Sequence, residues 1–112
     1  MKPGETIPAI FWNAVEQRRE RVWLRQKRLG IWHSMRWGEA GAAVQEIAGG
    51  LMSLGFERGH TASILSNTLI EWVLCDLAVL SCGGVSNGIY PTDAPAQVQY
   101  LCEDSGTSML FV

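Results

Sequence analysis

The sequence predicts an α/β protein in which helices flank a small parallel sheet of about three strands, preceded by an N-terminal β-hairpin. Helix-like and strand-like segments alternate from residue 39 to residue 112, and strands joined through helices form parallel sheets with right-handed crossovers. Residues 67–91 join an almost wholly apolar helix to a glycine turn and a buried strand. Residues 22–36 alternate around a Leu-Gly pair, which is typical of a hairpin.

The first 37 residues predict an extended lead-in, a helix and the hairpin. Pro3 and Pro8 oppose helix over residues 1–9, and Thr6 or Pro8 introduces a helix through about Arg21. The hairpin turns at residues 29–30. Seven of the nine basic residues and four of the five tryptophans lie in or near it, so a nucleic-acid surface is one reading. We favour an edge hairpin whose charges prevent aberrant strand pairing.

Residues 39–54 form the clearest amphipathic helix, with apolar residues at helical spacing. The pair Gly49-Gly50 weakens this helix and predicts close packing against a neighbouring element. A short buried strand follows at residues 61–66. The next helix, residues 69–80, is apolar on nearly all sides, so we expect little of it to face water. Thr68 and Glu71 have the spacing of a capping box at its start.

Residues 85–90 predict the second strand of the sheet. Pro95 suits the first turn of the following helix, for which Asp93 or Thr92 is the expected N-cap. Its inner face carries Val98, Leu101 and Cys102. Residues 107–112 complete the sheet as an exposed edge strand unless something follows them, which hints that the chain is part of a larger domain.

Composition indicates one modest cytosolic domain. Hydrophobic residues make up 47% and charged residues 18% of the 112 residues, as in ordinary globular proteins. The net charge of −2 argues against nucleic-acid binding. Three cysteines fit reduced thiols, and no residue spacing suggests a metal site. We expect no signal peptide and no membrane span, because glycines and a proline break the longest uncharged run.

Several runs of residues resemble the N-terminal part of adenylate-forming enzymes. They are Gly30-Ile31-Trp32, Trp37, the stretch 44–59, and Asp104-Ser105-Gly106 followed by Leu110-Phe111-Val112. Two further motifs resemble the long-chain acyl-CoA synthetases, the AMP-forming fatty-acid–CoA ligases: Asn67-x-x-x-Glu71-Trp72 and Gly83-Gly84-Val85-x-x-Gly88-Ile89-Tyr90-Pro91-Thr92. The resemblance covers about residues 6–112. The departures are His60, where the family usually has Asp, and Thr68 and Leu69, where other members often carry Arg-Pro or Ser-Pro.

This resemblance implies a two-step reaction. A fatty-acid carboxylate attacks the α-phosphate of ATP to give an acyl-adenylate and pyrophosphate, and the CoA thiol then displaces AMP. Mg²⁺ neutralises the phosphates. Residues 1–112 would be the N-terminal portion of the large adenylate-forming domain, comprising a lead-in and helix (1–21), the hairpin (22–37) and the α/β core (38–112).

The chain lacks a glycine-rich loop ending in lysine that could cradle a triphosphate. We therefore expect no catalytic residue here, no cofactor bound by the chain alone, and no activity without the missing remainder of the enzyme. The resemblance places Tyr90, Pro91 and Thr92 near the approach of CoA or substrate. Parallel sheets bind ligands beyond the carboxyl ends of their strands, which points to the same turn. Alternatively, this turn only ends a strand and caps a helix.

Two other readings remain open. One is a stand-alone flavodoxin-like module, in which residues 66–69 offer an anion-binding helix start. The other is a structural or interaction domain without catalysis. Unpaired sheet edges and the large tryptophan surface predict that the isolated chain self-associates. The expected location is the cytoplasm, with peripheral contact at the inner membrane face as a further possibility for an enzyme of acyl substrates.

Overall fold

The computed structural model describes residues 6–67 and 69–112 and confirms the α/β prediction. Strands β3, β4 and β5 form a parallel sheet in the order β4-β3-β5, while β1 and β2 form a separate antiparallel hairpin. The elements in chain order are α1 (Ile7–Arg18), β1 (Val22–Arg28), β2 (Ile31–Arg36), α2 (Trp37–Ser53), β3 (Thr61–Leu65), α3 (Ile70–Ser81), β4 (Val85–Ile89), α4 (Pro95–Asp104) and β5 (Thr107–Phe111).

Helix α1 begins as the sequence predicts. The Thr6 hydroxyl accepts a hydrogen bond from the Ala9 amide at 3.2 Å, and this bond satisfies one of the amides that a helix start leaves without a partner. Pro8 lies in the first turn, where a backbone N–H has no partner within the helix, so proline loses no hydrogen bond there. The helix buries Phe11 and Val15 and ends at Arg18, three residues earlier than expected.

The hairpin turns through two residues with positive φ, Leu29 at 52° and Gly30 at 79°. Two positive φ angles in succession define the type I′ turn, whose twist matches that of the flanking strands. Asparagine and glycine are the usual occupants of these positions, so leucine at the first of them is unusual. The predicted hairpin and its turn are confirmed.

The hydrophobic core lies on one face of the parallel sheet. Helices α1, α2 and α3 pack against each other there, and α3 also packs against strand β3, so that apolar residues from all four elements are buried. The main contributors are Phe11, Val15, Ala40, Val44, Ala48, Leu51, Ala62, Leu74, Leu77, Ala78 and Val79. Within α3, Glu71 alone is exposed, which confirms that little of this helix faces water.

Helix α4 covers the other face. Strands β4 and β5 lie on opposite sides of β3, so right-handed crossovers place α3 and α4 on opposite faces of the sheet. The half-buried apolar residues of α4 are Val98, Leu101 and Cys102, as predicted, but none of its residues is fully buried. The predicted N-cap at Asp93 or Thr92 is wrong: Ala94 occupies the N-cap and supplies no side-chain hydrogen bond.

Close packing uses other glycines than the predicted pair. Gly49 and Gly50 are exposed, and a Cβ built on either would meet nothing within 4 Å. That prediction is wrong, because the pair lies on the solvent side of α2. At Gly41 a Cβ would come within 2.7 Å of Val15, and at Gly84 within 2.5 Å of the Phe56 ring. These two glycines permit close contact between elements.

Candidate functional site at the carboxyl edge of the sheet

The carboxyl ends of the three parallel strands meet at one edge of the sheet, where two cavities flank the Trp72 side chain. The larger, of about 230 Å³, lies beyond β3 and β4 and is lined by Ser66, Trp72, Gly88, Ile89 and Tyr90. The smaller, of about 100 Å³, lies beyond β3 and β5 and is lined by Ile64, Ser66, Glu71, Trp72, Cys75, Phe111 and Val112. Open parallel sheets bind ligands at this edge.

The structure separates the three residues that the sequence predicts as a binding turn. Tyr90 lines the larger cavity and is 76% exposed. Pro91 and Thr92 are exposed in the turn that follows and line neither of the two cavities. The Asp93 amide donates to the Tyr90 carbonyl at 3.1 Å, which closes this turn. Tyr90 is therefore the one member of the trio that joins the cavity wall.

Gly88 keeps the larger cavity open. A Cβ built on Gly88 would lie 3.6 Å from the Trp72 ring, an ordinary contact distance, so a larger side chain would extend into the space beside the indole. Sequence reasoning did not assign Trp72 or Gly88 to a site, and it named Ser66 only in the anion-binding helix start of the flavodoxin-like alternative. The signal that could have found them is their position at the ends of consecutive strands and at the start of the intervening helix.

Residues of the hairpin hold the start of α3 in place. The Ile70 amide donates to the Gln26 side-chain oxygen at 2.8 Å, and the Arg28 guanidinium pairs with the Glu71 carboxylate at 2.8 Å. Leu69 is the N-cap residue and provides no side-chain bond, whereas Thr68, half of the predicted capping box, lies outside the described residues. Because Trp72 follows directly, these two bonds also position the cavity wall.

The same contacts shape the electrostatics of the edge. The hydrogen bond from Arg28 is the main cause that lowers the pKa of the Glu71 carboxyl, and the charge of Arg28 acts in the same direction. Burial, reinforced by the negative charge of Glu71, raises the pKa of the Cys75 thiol. A thiol with a raised pKa stays protonated and is a poor nucleophile. Cys75 therefore contributes an apolar wall.

The described part of the chain holds neither a metal cluster nor an anion cradle at this edge. No group of three potential metal ligands occurs among its residues. The Ile70 amide already bonds Gln26, and the Ser66 hydroxyl donates to the Asn67 carbonyl at 3.1 Å. Of the groups described at this helix start, the Ile70 amide and the Ser66 hydroxyl are therefore already bonded within the protein, which weakens the flavodoxin-like reading.

A row of neutral hydrogen bonds crosses the α4 face of the sheet. Ser63 is completely buried. Its hydroxyl lies 2.6 Å from the Thr107 hydroxyl and accepts from the Asn87 amide at 3.2 Å, while Ser105 contacts the Thr107 hydroxyl at 2.7 Å. These bonds link residues of β4, β3 and β5, so the row ties the three strands together.

Fold and site together define an α/β protein whose open parallel sheet carries, at its carboxyl edge, two cavities walled in part by the Trp72 and Tyr90 rings. A model of the AMP-binding enzyme family matches residues 11–112. The chain therefore belongs to the AMP-binding enzymes. Within its described residues, no helix is long and apolar enough to cross a membrane.

Curated relatives agree with this family. A long-chain-fatty-acid–CoA ligase of Mycobacterium bovis is 37% identical over 82 residues, which cover 73% of this chain and 14% of the relative. A long-chain-fatty-acid–CoA ligase of Rattus norvegicus is 27% identical over 107 residues, covering 96% of this chain and 15% of that protein. The chain thus spans about one seventh of the length of these relatives, and the resemblance predicted from its motifs is confirmed.

Solved structures show the same fold. The N-terminal subdomain of NpsA from Klebsiella oxytoca has a TM-score of 0.83 at 17% identity, with 95% of this chain and 27% of that chain covered. A fatty acyl-adenylate ligase from L. pneumophila, in complex with acyl adenylate and pyrophosphate, has a TM-score of 0.86 at 14% identity, covering 92% of this chain and 19% of that chain. At these identities the likeness concerns the fold.

Proposed function

We propose that this chain forms the opening portion of an AMP-forming ligase that activates a fatty acid with ATP and transfers it to CoA. The observation that carries this proposal is the 37% identity to a long-chain-fatty-acid–CoA ligase over 82 residues. In this proposal the chain builds one wall of a cleft, and other parts of the enzyme supply the chemistry.

The lining residues suit some parts of the proposed ligands better than others. Glu71 is the one charged side chain that lines the two described cavities, and it is paired with Arg28, so neither cavity presents a cationic side chain to a phosphate. The residues described here therefore do not fit ATP with Mg²⁺, and no step of the reaction is assigned to them. The Tyr90 and Trp72 rings and the Ser66 hydroxyl suit an uncharged portion of CoA or of the acyl substrate, through stacking, apolar contact and a hydrogen bond.

A chimera tests the proposed function. The chain replaces its aligned segment in the Mycobacterium bovis ligase, and acyl-CoA formation from a long-chain fatty acid, ATP and CoA is measured. We expect activity from the chimera and none from the 112-residue chain alone. The matched variant Gly88→Leu, which fills the larger cavity, should raise KM for CoA or fatty acid. A folded chimera that still binds ATP but forms neither acyl-adenylate nor acyl-CoA would contradict the proposal.

Self-association of the isolated chain is a second proposal. Both β4 and β5 are edge strands of the described sheet, and the exposed apolar residues Val85, Leu110 and Val112 lie along or beside them. Exposed edges pair readily with another chain. Light scattering should give a mass above that of the monomer, increasing with concentration. A monomer mass at every concentration would contradict this proposal.

The proposed location is the cytoplasm. All three cysteines are free and half-buried, as is usual where the compartment keeps thiols reduced. Fractionation of cells that produce the protein, with antibody detection, tests this location. Recovery outside the cytoplasmic and inner-membrane fractions would exclude it.

A further inference from the structure

The tip of the β1–β2 hairpin presents large apolar side chains to solvent. Leu29 is 97% exposed, Ile31 63% and Trp32 64%. All three lie within four consecutive positions. Hairpin turns are usually built from small polar residues and glycine. Clustered exposed apolar residues at a protruding turn indicate a contact surface.

The backbone at Leu29 is strained, and packing within the described residues does not offset that strain. Its φ of 52° lies in the left-handed region, where a leucine is strained and asparagine or glycine is not. The exposed Leu29 side chain gains little from packing within the protein. Strained residues that persist without a structural benefit cluster at functional positions.

Basic residues accompany the apolar tip. Arg25 and Lys27 are exposed on β1, and the Lys27 ammonium lies 5.9 Å from the centre of the Trp32 ring. None of the ion pairs among the described residues involves Arg25 or Lys27. Aliphatic residues and a tryptophan beside unneutralised basic side chains have the chemistry that binds the interface of an anionic lipid bilayer. Aliphatic insertion favours a bilayer over a nucleic acid, which stacks its bases on aromatic rings.

The hairpin tip also lies close to the candidate site. Arg28, which directly precedes Leu29, pairs with Glu71, and Glu71 and the adjacent Trp72 line the smaller edge cavity. A surface that receives the tip would therefore lie beside the carboxyl edge of the sheet.

We propose that the hairpin tip formed by Leu29, Gly30, Ile31 and Trp32 docks the protein onto an anionic membrane surface, with Arg25 and Lys27 contacting the lipid headgroups. This contact brings the carboxyl edge next to the bilayer, from which a fatty acyl substrate can enter. Only the delivery of substrate rests on the proposed ligase function. The docking itself does not depend on it.

Vesicle co-sedimentation of the 112-residue chain tests the docking. We expect binding to vesicles of phosphatidylglycerol and phosphatidylcholine, and much weaker binding to phosphatidylcholine alone. Lys27→Gln should lower partitioning onto the anionic vesicles by about fivefold, and increasing salt should weaken it further. Equal binding to both vesicle types, or binding to neither, would overturn the proposal.

The variant Leu29→Asn separates docking from folding. Asparagine suits the left-handed turn, so thermal stability should stay the same or increase, while vesicle binding falls by about tenfold with the lost apolar contact. The matched control Leu54→Asn removes another exposed leucine, in the segment after α2, and should bind as the wild type does. Wild-type vesicle binding by Leu29→Asn, or an equal loss in both variants, would refute docking by the tip.

Fluorescence identifies the inserted residue. Phospholipids with brominated acyl chains should quench the tryptophan emission of the wild type, and Trp32→Phe should lose that quenching. Quenching that survives in Trp32→Phe would contradict insertion of the tip. Tighter binding to a single-stranded oligonucleotide than to anionic vesicles would instead favour nucleic acid, and a monomer mass for Leu29→Asn alone would favour a second copy of the chain. These assays contain no ATP or CoA, so their failure leaves the ligase proposal intact.

Discussion

The two faces of the parallel sheet are built differently. On one face, α2 and α3 bury nine residues, five from α2 and four from α3. On the other, α4 buries none, and a row of hydrogen bonds through Ser63 and Thr107 crosses the strands. Stability is therefore concentrated on the face of α2 and α3, while the α4 face depends more on polar pairing and has room for further contacts.

Two leucine truncations should expose this contrast most strongly. Leu74→Ala removes a buried side chain of α3 and should lower the free energy of unfolding by about 2–5 kcal/mol, because it leaves a cavity. The matched variant Leu101→Ala, on the half-buried face of α4, should cost about 1 kcal/mol or less. Urea unfolding followed by circular dichroism measures both. Equal losses would show that the two faces contribute alike.

The second largest effect on stability should come from the row of hydrogen bonds on the α4 face of the sheet. Ser63→Ala leaves the Asn87 amide and the Thr107 hydroxyl without their buried partner, so we expect a loss of about 1–2 kcal/mol in unfolding free energy. Ser108→Ala, at an exposed position of β5, serves as the control and should change it by less than about 0.5 kcal/mol. If Ser63→Ala unfolds like the control, the hydrogen bonds do not hold this face together.

The hairpin turn lies outside both faces of the sheet, and one substitution there should increase the free energy of unfolding. Leu29→Asn relieves a left-handed leucine and should raise the unfolding free energy by up to about 1 kcal/mol. Gly30→Ala, at the second positive φ of the turn, should lower it by a similar amount. Thermal unfolding of the two variants decides the sign, and destabilisation by Leu29→Asn would show that the leucine has a packing role.

The smallest effect should come from the ion pair that joins the hairpin to α3. The pKa of Glu71 is lower in the folded protein than in the unfolded chain. The ion pair therefore contributes its full stability at pH values above the ordinary glutamate pKa of about 4.3. That contribution is lost as the pH falls through the lower folded value. Both side chains are half exposed, so its size should be about 1 kcal/mol or less.

Urea unfolding at pH 7 and pH 3 measures this dependence. Glu71→Gln and Arg28→Gln should each remove the part of the pH dependence that comes from the ion pair. The double variant should remove no more than either single variant. Additive effects of the two substitutions would show that the residues act independently.

Local patterns predicted most of the elements, because side-chain periodicity and turn chemistry need only neighbouring residues. The spacing of apolar residues in 39–54 predicted α2, and the Leu29-Gly30 pair predicted the hairpin turn. One error is local: the N-cap of α4 is Ala94, which forms no side-chain bond. The other depends on distant residues, since the close approaches are at Gly41 and Gly84 rather than at Gly49-Gly50.

The candidate site was only partly predictable for the same reason. The carboxyl-edge rule directed attention to Tyr90, which does line a cavity. Pro91 and Thr92 share its turn but line neither edge cavity, because the direction of each side chain depends on how the strand ends. The placement of Trp72 depends on Gln26, 44 residues before the amide that it caps.

The sequence by itself determined the order of helices and strands, the parallel sheet that this order requires, and the family to which the chain belongs. These features depend on periodicity, turn residues and motifs that are local in the chain. Tertiary structure alone decided which helix ends are capped by remote side chains, which glycines permit close contact, and which residues surround the cavities. Those outcomes depend on distances between residues far apart in sequence, which are defined only once hydrophobic burial has brought the elements together.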